Sequence, residues 1–181
     1  MQSEVRRKDK LMPEAQVEEI LRTAYCGRVG TTGRDGWPYV CPLLYVWHEQ
    51  KLWFHNSGAE GRLKANVRHD GKACFEIDIP GQVFAYGRFE CDTSVEYQSV
   101  LAFGTISIEE DTATKTKFFD ALMAKYYPDD KSRPKHFYPR LDQITLYAMT
   151  MERITGKHTA LPAAEDRWPA ADHTKSPQAG K

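Results

Sequence analysis

Residues 37–66 read WPYVCPLLYVWHEQKLWFHNSGAEGRLKAN. Strand-forming residues run through WPYVCPLLYVWH, the letters His48-Glu49-Gln50 mark a tight turn, and KLWFHN resumes the pattern. Tandem antiparallel strands are the prediction. Past Ser57 the alternation stops, and Ala59, Leu63, Ala65, Asn66 and Val67 fit a short helix closed by Gly71. Arg62 and Lys64 fall two apart at the start of that helix, where free backbone N–H groups add to their charge. Such an arrangement can hold an anion, phosphate first among them. The same two charges also suit the solvated face of a surface helix.

Upstream, Pro13 opens PEAQVEEILRTAY, in which Val17, Ile20, Leu21 and Ala24 repeat at helical spacing. CGRVGTT then reads as a strand, closed by a turn at Gly33, Asp35 and Gly36. Downstream, KACFEIDI and QVFAYGRFECD read as two strands, and VEYQSVLAFGTISIEE as a long one whose Gly104 marks a bulge or a close backbone approach. TATKTKFFDALMAKYYP returns to helical spacing, and ITLYAMTMERITG gives a last strand. Six or seven strands with interspersed helices, and no regular βαβ alternation, predict a mainly β (α+β) fold: an antiparallel β-barrel with peripheral helices. The expected organisation is a basic arm over 1–12, the barrel domain over 13–157 and an extended tail over 158–181, with Trp168 as the tail's candidate anchor.

Lys+Arg 25 against Asp+Glu 25 leaves no net charge, which argues against a nucleic-acid binder, and the arm Arg6 to Lys10 is too short to change that. No apolar run approaches the roughly 20 residues that span a bilayer, and no apolar segment follows the basic arm as in a secretory signal. A cytoplasmic protein is expected. Cys26, Cys41, Cys74 and Cys91 never form the close pairs that zinc sites use, all lie in strand-like stretches, and are expected as reduced core thiols. The 6 histidines are scattered, so no metal site is expected. Signatures for hydrolase nucleophiles, nucleotide triphosphates and zinc peptidases are absent. Trp37, Tyr39, Tyr45, Trp47 and Trp53 crowd adjoining strands, either as packing or as a stacking surface for a flat ligand. His55 has parity opposite to Leu52 and Phe54, so if those fill the barrel it points toward a cleft.

The run FHNSGAEGRLKAN, preceded by PYVCPLLYVWHEQKLWF and followed by GKACFEI and YQSVLAFGTISI, resembles the FMN-binding split β-barrels of the pyridoxamine 5′-phosphate oxidase-like superfamily. Within it the chain looks most like the nitroimidazole-resistance (Nim) family, over roughly residues 5 to 157, the ends RRKDKLMP and ERITGK included. The resemblance implies a homodimer with FMN in clefts between the subunits. It implies that the Pro42-Leu43 strand faces the isoalloxazine with its backbone, and that Asn56 and Ser57 follow His55 into the cleft. Arg62 and Lys64 would address the ribityl phosphate, and Ser99 aligns with a flavin-contacting strand position. The resemblance also gives His55 a catalytic role, as a neutral imidazole donating a proton or a hydrogen bond to a reduced substrate. Tyr86, Phe89 and Tyr97 would flank the second subunit and wall the substrate pocket.

Enzymes that oxidise pyridoxamine phosphate carry a C-terminal arginine-containing signature that ITGKHTALPAAEDRWPA does not match, so that activity is not expected. The expected function is an FMN-dependent oxidoreductase reducing a small electrophile, with nitroimidazoles and other nitroaromatics as the implied class. Its electron donor would be NADH, NADPH or another reductant, bound without a recognisable nicotinamide motif. The alternative is a flavin- or haem-binding carrier or sensor without turnover. Related split barrels hold haem or the deazaflavin F420, so either can replace FMN.

Overall fold

The computed structural model describes residues 5–130, 132 and 134–167; Trp168 and the rest of the tail lie outside the described residues. In chain order the elements are α1 (Glu14–Thr23), β1 (Gly27–Thr32), β2 (Pro38–Leu43), β3 (Tyr45–His48), β4 (Lys51–Ser57), α2 (Arg62–His69), β5 (Lys72–Ala85), β6 (Thr93–Glu109), α3 (Thr112–Tyr126) and β7 (Ile144–Thr159). The 7 strands form one antiparallel sheet in the order β2-β1-β5-β6-β7-β4-β3. No helix among the described residues is long and apolar enough to cross a membrane.

β2 and β3 occupy opposite edges of the sheet, yet only Leu44 separates them in sequence. Consecutive Cα atoms are about 3.8 Å apart, so the two edges are drawn together and the sheet curls into a split barrel. WPYVCPLLYVWH is therefore two strands rather than the single one expected. Pro38 and Pro42, which offer no N–H to a ladder, sit on an edge strand as their chemistry requires. At the bend, Tyr126 at the end of α3 takes over the lost pairing. Its hydroxyl accepts from Tyr45 N–H at 3.2 Å and lies 3.0 Å from Tyr45 O and 2.8 Å from Tyr25 O, both acceptors for its own proton.

Strand parity sorts the core into two layers. The cross-strand row Tyr45, Phe54, Tyr147 points into the barrel, where Phe54 stacks between Tyr147 and Phe75 at centroid distances of 5.4 and 6.1 Å. Val17, Ile20 and Leu21 of α1 join this core. The next row, Val46, Trp53, Ala148, faces outward and is covered by Phe118 and Leu122 of α3. Asp111 caps α3, accepting from Thr114 N–H at 2.8 Å. Lys115 is 5 % exposed, and its Nζ lies 3.3 Å from Leu141 O, which ties the helix to the approach to β7.

Three further expectations change. KACFEIDI and QVFA share one strand, β5, whose pairing with β6 shifts between Pro80 and Val83 instead of turning back, while the rest of QVFAYGRFECD, from Tyr86, is turn rather than strand. The cysteines are free, but none is fully buried: Cys26 precedes β1, and Cys91 lies exposed in the turn before β6. β7 runs through Thr159, so His158 and Thr159 belong to the sheet rather than to the tail. Gly104 does mark a bulge, and it is also a close approach, since a Cβ there would stand 2.0 Å from Thr150 O.

Candidate functional site

The end of β4 and the start of α2 build a cationic cradle. Ser57 Oγ accepts from Ala59 N–H at 3.3 Å, and Gly58 N–H donates to Gln143 O at 2.7 Å, which fixes the turn out of the strand. Gly61 is the N-cap of α2 and provides no side-chain cap. A Cβ there would meet nothing within 4 Å, so the space before the helix is open. Lys64 curls back to donate to Gly58 O at 2.8 Å. Arg62 reaches across to the β1–β2 turn, where its Nη2 donates to Asp35 Oδ1 and Oδ2 at 2.7 and 2.8 Å. That hydrogen bond, with a second from Trp37 N–H, holds the Asp35 carboxyl below its ordinary range.

The cradle's floor is glycine. A Cβ at Gly33 would stand 2.7 Å from Asp35 Oδ1, 2.8 Å from Arg62 Nη2 and 3.0 Å from Asn66 Oδ1, so a side chain there would push these groups aside. Asn66 is 3 % exposed and its Nδ2 donates to Thr31 Oγ1 at 3.0 Å, pinning α2 to β1. Beside the cradle runs the exposed edge of Trp37, Pro38, Val40 and Pro42, while Tyr39, Cys41 and Leu43 alternate inward against the core. An uncapped helix terminus, a guanidinium and an ammonium beside an apolar edge form a donor set that fits a phosphate joined to a flat ring.

The structure brings only some of the expected residues together. Arg62, Lys64 and Ser57 share the cradle. Asn56 turns inward and accepts from the Tyr147 hydroxyl at 3.1 Å. Ser99 lies on β6 between Asp78 and Lys157, with β1 and β5 between it and β2 in the sheet. His55 has the expected parity, opposite Leu52 and Phe54, but α3 covers that face. Its ring packs edge-on against Phe118 and Phe119 at 5.3 and 5.0 Å, and the residue is half-buried. Its buried Nδ1 has no hydrogen-bond partner among the described residues, and burial pushes its pKa down, favouring the neutral imidazole. Asp35 and Gly33 were missed as members of the site, because a partner 27 positions from Arg62 leaves no local spacing to read. The turn letters Gly33, Asp35 and Gly36 were the available signal.

Fold and cradle define a class, the antiparallel split barrels. The chain belongs to the pyridoxamine 5′-phosphate oxidase family, whose model matches residues 13–158. Among curated proteins no match is found. Solved structures share the fold. A candidate 5-nitroimidazole antibiotic resistance protein from Bacteroides thetaiotaomicron is 21% identical, with a TM-score of 0.68 over 82% of this chain and 86% of that one. The flavocytochrome Anf3 from Azotobacter vinelandii is 20% identical, with a TM-score of 0.74 over 90% and 77%. An FAD and heme binding protein from Mycobacterium smegmatis is 22% identical, with a TM-score of 0.70 over 85% and 76%.

Proposed function

We propose that this chain is a flavin-dependent oxidoreductase that holds FMN with its phosphate in the α2 cradle and reduces a small electrophile such as a nitroaromatic. The observation that carries the reading is the start of α2: Arg62 reaches the β1–β2 turn beside the apolar edge at Trp37–Pro42, Lys64 folds back to Gly58 O, and the helix terminus between them has no side-chain cap. FMN, when bound, would supply the hydride or electron chemistry, drawing on NADH, NADPH or another reductant. The chain's residues bind and orient. Arg62 retains N–H groups beyond the Nη2 pair with Asp35 to meet a phosphate, and the β2 edge presents a flat apolar surface to a ring system. Support also comes from the family and from neighbours described as flavin-binding.

A homodimer belongs to this reading, because the cradle's outer side and the apolar edge are open in the single protomer and a second copy would close them. Ser99, with β1 and β5 between it and β2 in one protomer, would meet the cradle across such an interface. A second reading, a flavin or haem carrier or sensor without turnover, draws on His55. Its half-buried ring packs against Phe118 and Phe119 of α3, and in the oxidoreductase reading it would be the proton or hydrogen-bond donor to the electrophile. F420, which also carries a phosphate, would use the same cradle.

The test compares FMN with riboflavin in wild type and Arg62→Ala. Losing hydrogen bonds to a charged group costs about 1.5–3 kcal/mol, so FMN should weaken about 10- to 100-fold. Riboflavin, which lacks the phosphate, should bind both proteins alike. Equal losses for the two flavins would remove Arg62 from the phosphate site. A visible spectrum of the purified protein separates flavin from haem, and anaerobic reoxidation by a nitroimidazole separates enzyme from carrier.

A further inference from the structure

A second cavity lies on the other side of α3, between that helix and the segment leading to Tyr138. It encloses about 460 Å³ and is lined by Phe119, Asp120 and Met123 of α3 and by Tyr127, His136 and Phe137. This volume falls in the range of about 300–1,000 Å³ usual for small-molecule sites. Tyr127 and Phe137 are 50% and 63% exposed and line the cavity together with Phe119.

The polar groups of this cavity are ordered. Asp120 Oδ1 accepts from the Tyr138 hydroxyl at 2.7 Å and meets His136 Nδ1 at 2.8 Å. Burial raises the Asp120 pKa, but those two hydrogen bonds outweigh it and hold the carboxyl below its ordinary range. Asp120 is therefore a carboxylate at neutral pH, so Nδ1 carries the proton. With Nδ1 turned to Asp120, Nε2 is the ring nitrogen left to meet a ligand, and it is an acceptor in the neutral form of the ring. His136 holds this place at φ +53°, a left-handed conformation that non-glycine residues seldom adopt. Of the common ligand chemistries, a planar aromatic body with one hydroxyl donor matches such a set: rings for rings, and an O–H for Nε2.

We propose that the α3 cavity is a binding site for a planar aromatic alcohol, its ring against Phe119, Tyr127 and Phe137 and its hydroxyl donating to His136 Nε2. The site is separate from the α2 cradle and independent of the flavin. It touches His55 through one intervening ring, since Tyr138 stacks on Phe119 at 5.2 Å and Phe119 meets His55 at 5.0 Å. Occupancy is thus read by the His55 imidazole.

The experiment titrates the full chain at pH 8 with 2-naphthol and with 2-methoxynaphthalene, which has the same rings and no donor. Wild type should bind 2-naphthol saturably and about tenfold more tightly than the ether, as one hydrogen bond provides. His136→Ala, at an exposed position, should bring the two ligands level. Ala124→Trp, on an exposed turn of α3 that lines the cavity, should abolish binding of both. The His55 ring resonances should shift on adding 2-naphthol to wild type and not to Ala124→Trp. No saturable binding, equal affinity of wild type for the two ligands, or binding untouched by Ala124→Trp would each overturn the proposal.

Discussion

Arg62 is held in place by what it is paired with, and that pairing limits what it can do. Asp35 occupies one face of the guanidinium, so a phosphate dianion arriving at the cradle meets a carboxylate beside it. Asp35→Asn removes that repulsion while keeping the side chain's size, and FMN should bind about 3- to 10-fold more tightly, on the order of 1 kcal/mol. Isothermal titration checks it, and weaker binding would mean that Asp35 serves to aim Arg62 rather than to compete for it. His55 makes a different kind of prediction. Burial lowers its folded-state pKa below the unfolded value of about 6.5, so the unfolded chain takes up the proton first. Its contribution to stability is complete above that pH and is lost as pH falls below it toward the folded-state value. His55→Phe, which suits a pocket walled by Phe118 and Phe119, should remove that loss. Thermal melts at pH 7.5 and 5.5 should therefore lie closer together for the variant than for wild type, and identical shifts would refute the argument.

Among the elements, α3 does the most joining. It covers the outward row of β3, β4 and β7, forms one wall of the second cavity, and through Tyr126 closes the backbone at the β2–β3 bend. Tyr126→Phe leaves the ring but strands Tyr45 N–H, and the unfolding free energy should fall by about 1–3 kcal/mol in urea titrations. A change below a few tenths would show that water replaces the hydroxyl. How legible these elements were follows from where their causes lie. The periodicities of α1 and α3 sit wholly within each segment, and Gly104 announces its own bulge. The break at Leu44 is imposed by closure of the sheet, and the one breaker near it, Pro42, sits inside β2 rather than at the bend. Pro80-Gly81 misleads in the opposite sense: it reads as a turn, yet β5 passes through it with a shift in pairing. The cations of the cradle were visible at the start of α2, whereas the carboxylate partner of Arg62, three strands away in sequence, was not.

At the scale of the whole molecule, the open apolar edge is the feature that asks for a partner. Trp37 and Val40 are 72% and 62% exposed beside the cradle, and Val83 and Tyr86 are 71% and 60% exposed near the end of β5. Covered by a second copy, these side chains would leave water together, and light scattering should return close to twice 20.7 kDa. Val40→Lys, on an outward position of an edge strand, should shift that mass toward one chain and loosen FMN in parallel. A monomer that retains FMN as tightly as wild type would show the cradle to be complete in one protomer. The sheet order has a consequence for synthesis as well. β4 pairs with β3 on one side and with β7, Ile144–Thr159, on the other. While the chain is still leaving the ribosome, β1, β2, β5 and β6 can find one another, but β4 waits with one side unpaired and α3 has only part of its seat. The last strand to be made is thus the one that joins the two halves of the barrel, and the nascent protein stays an open sheet until it emerges.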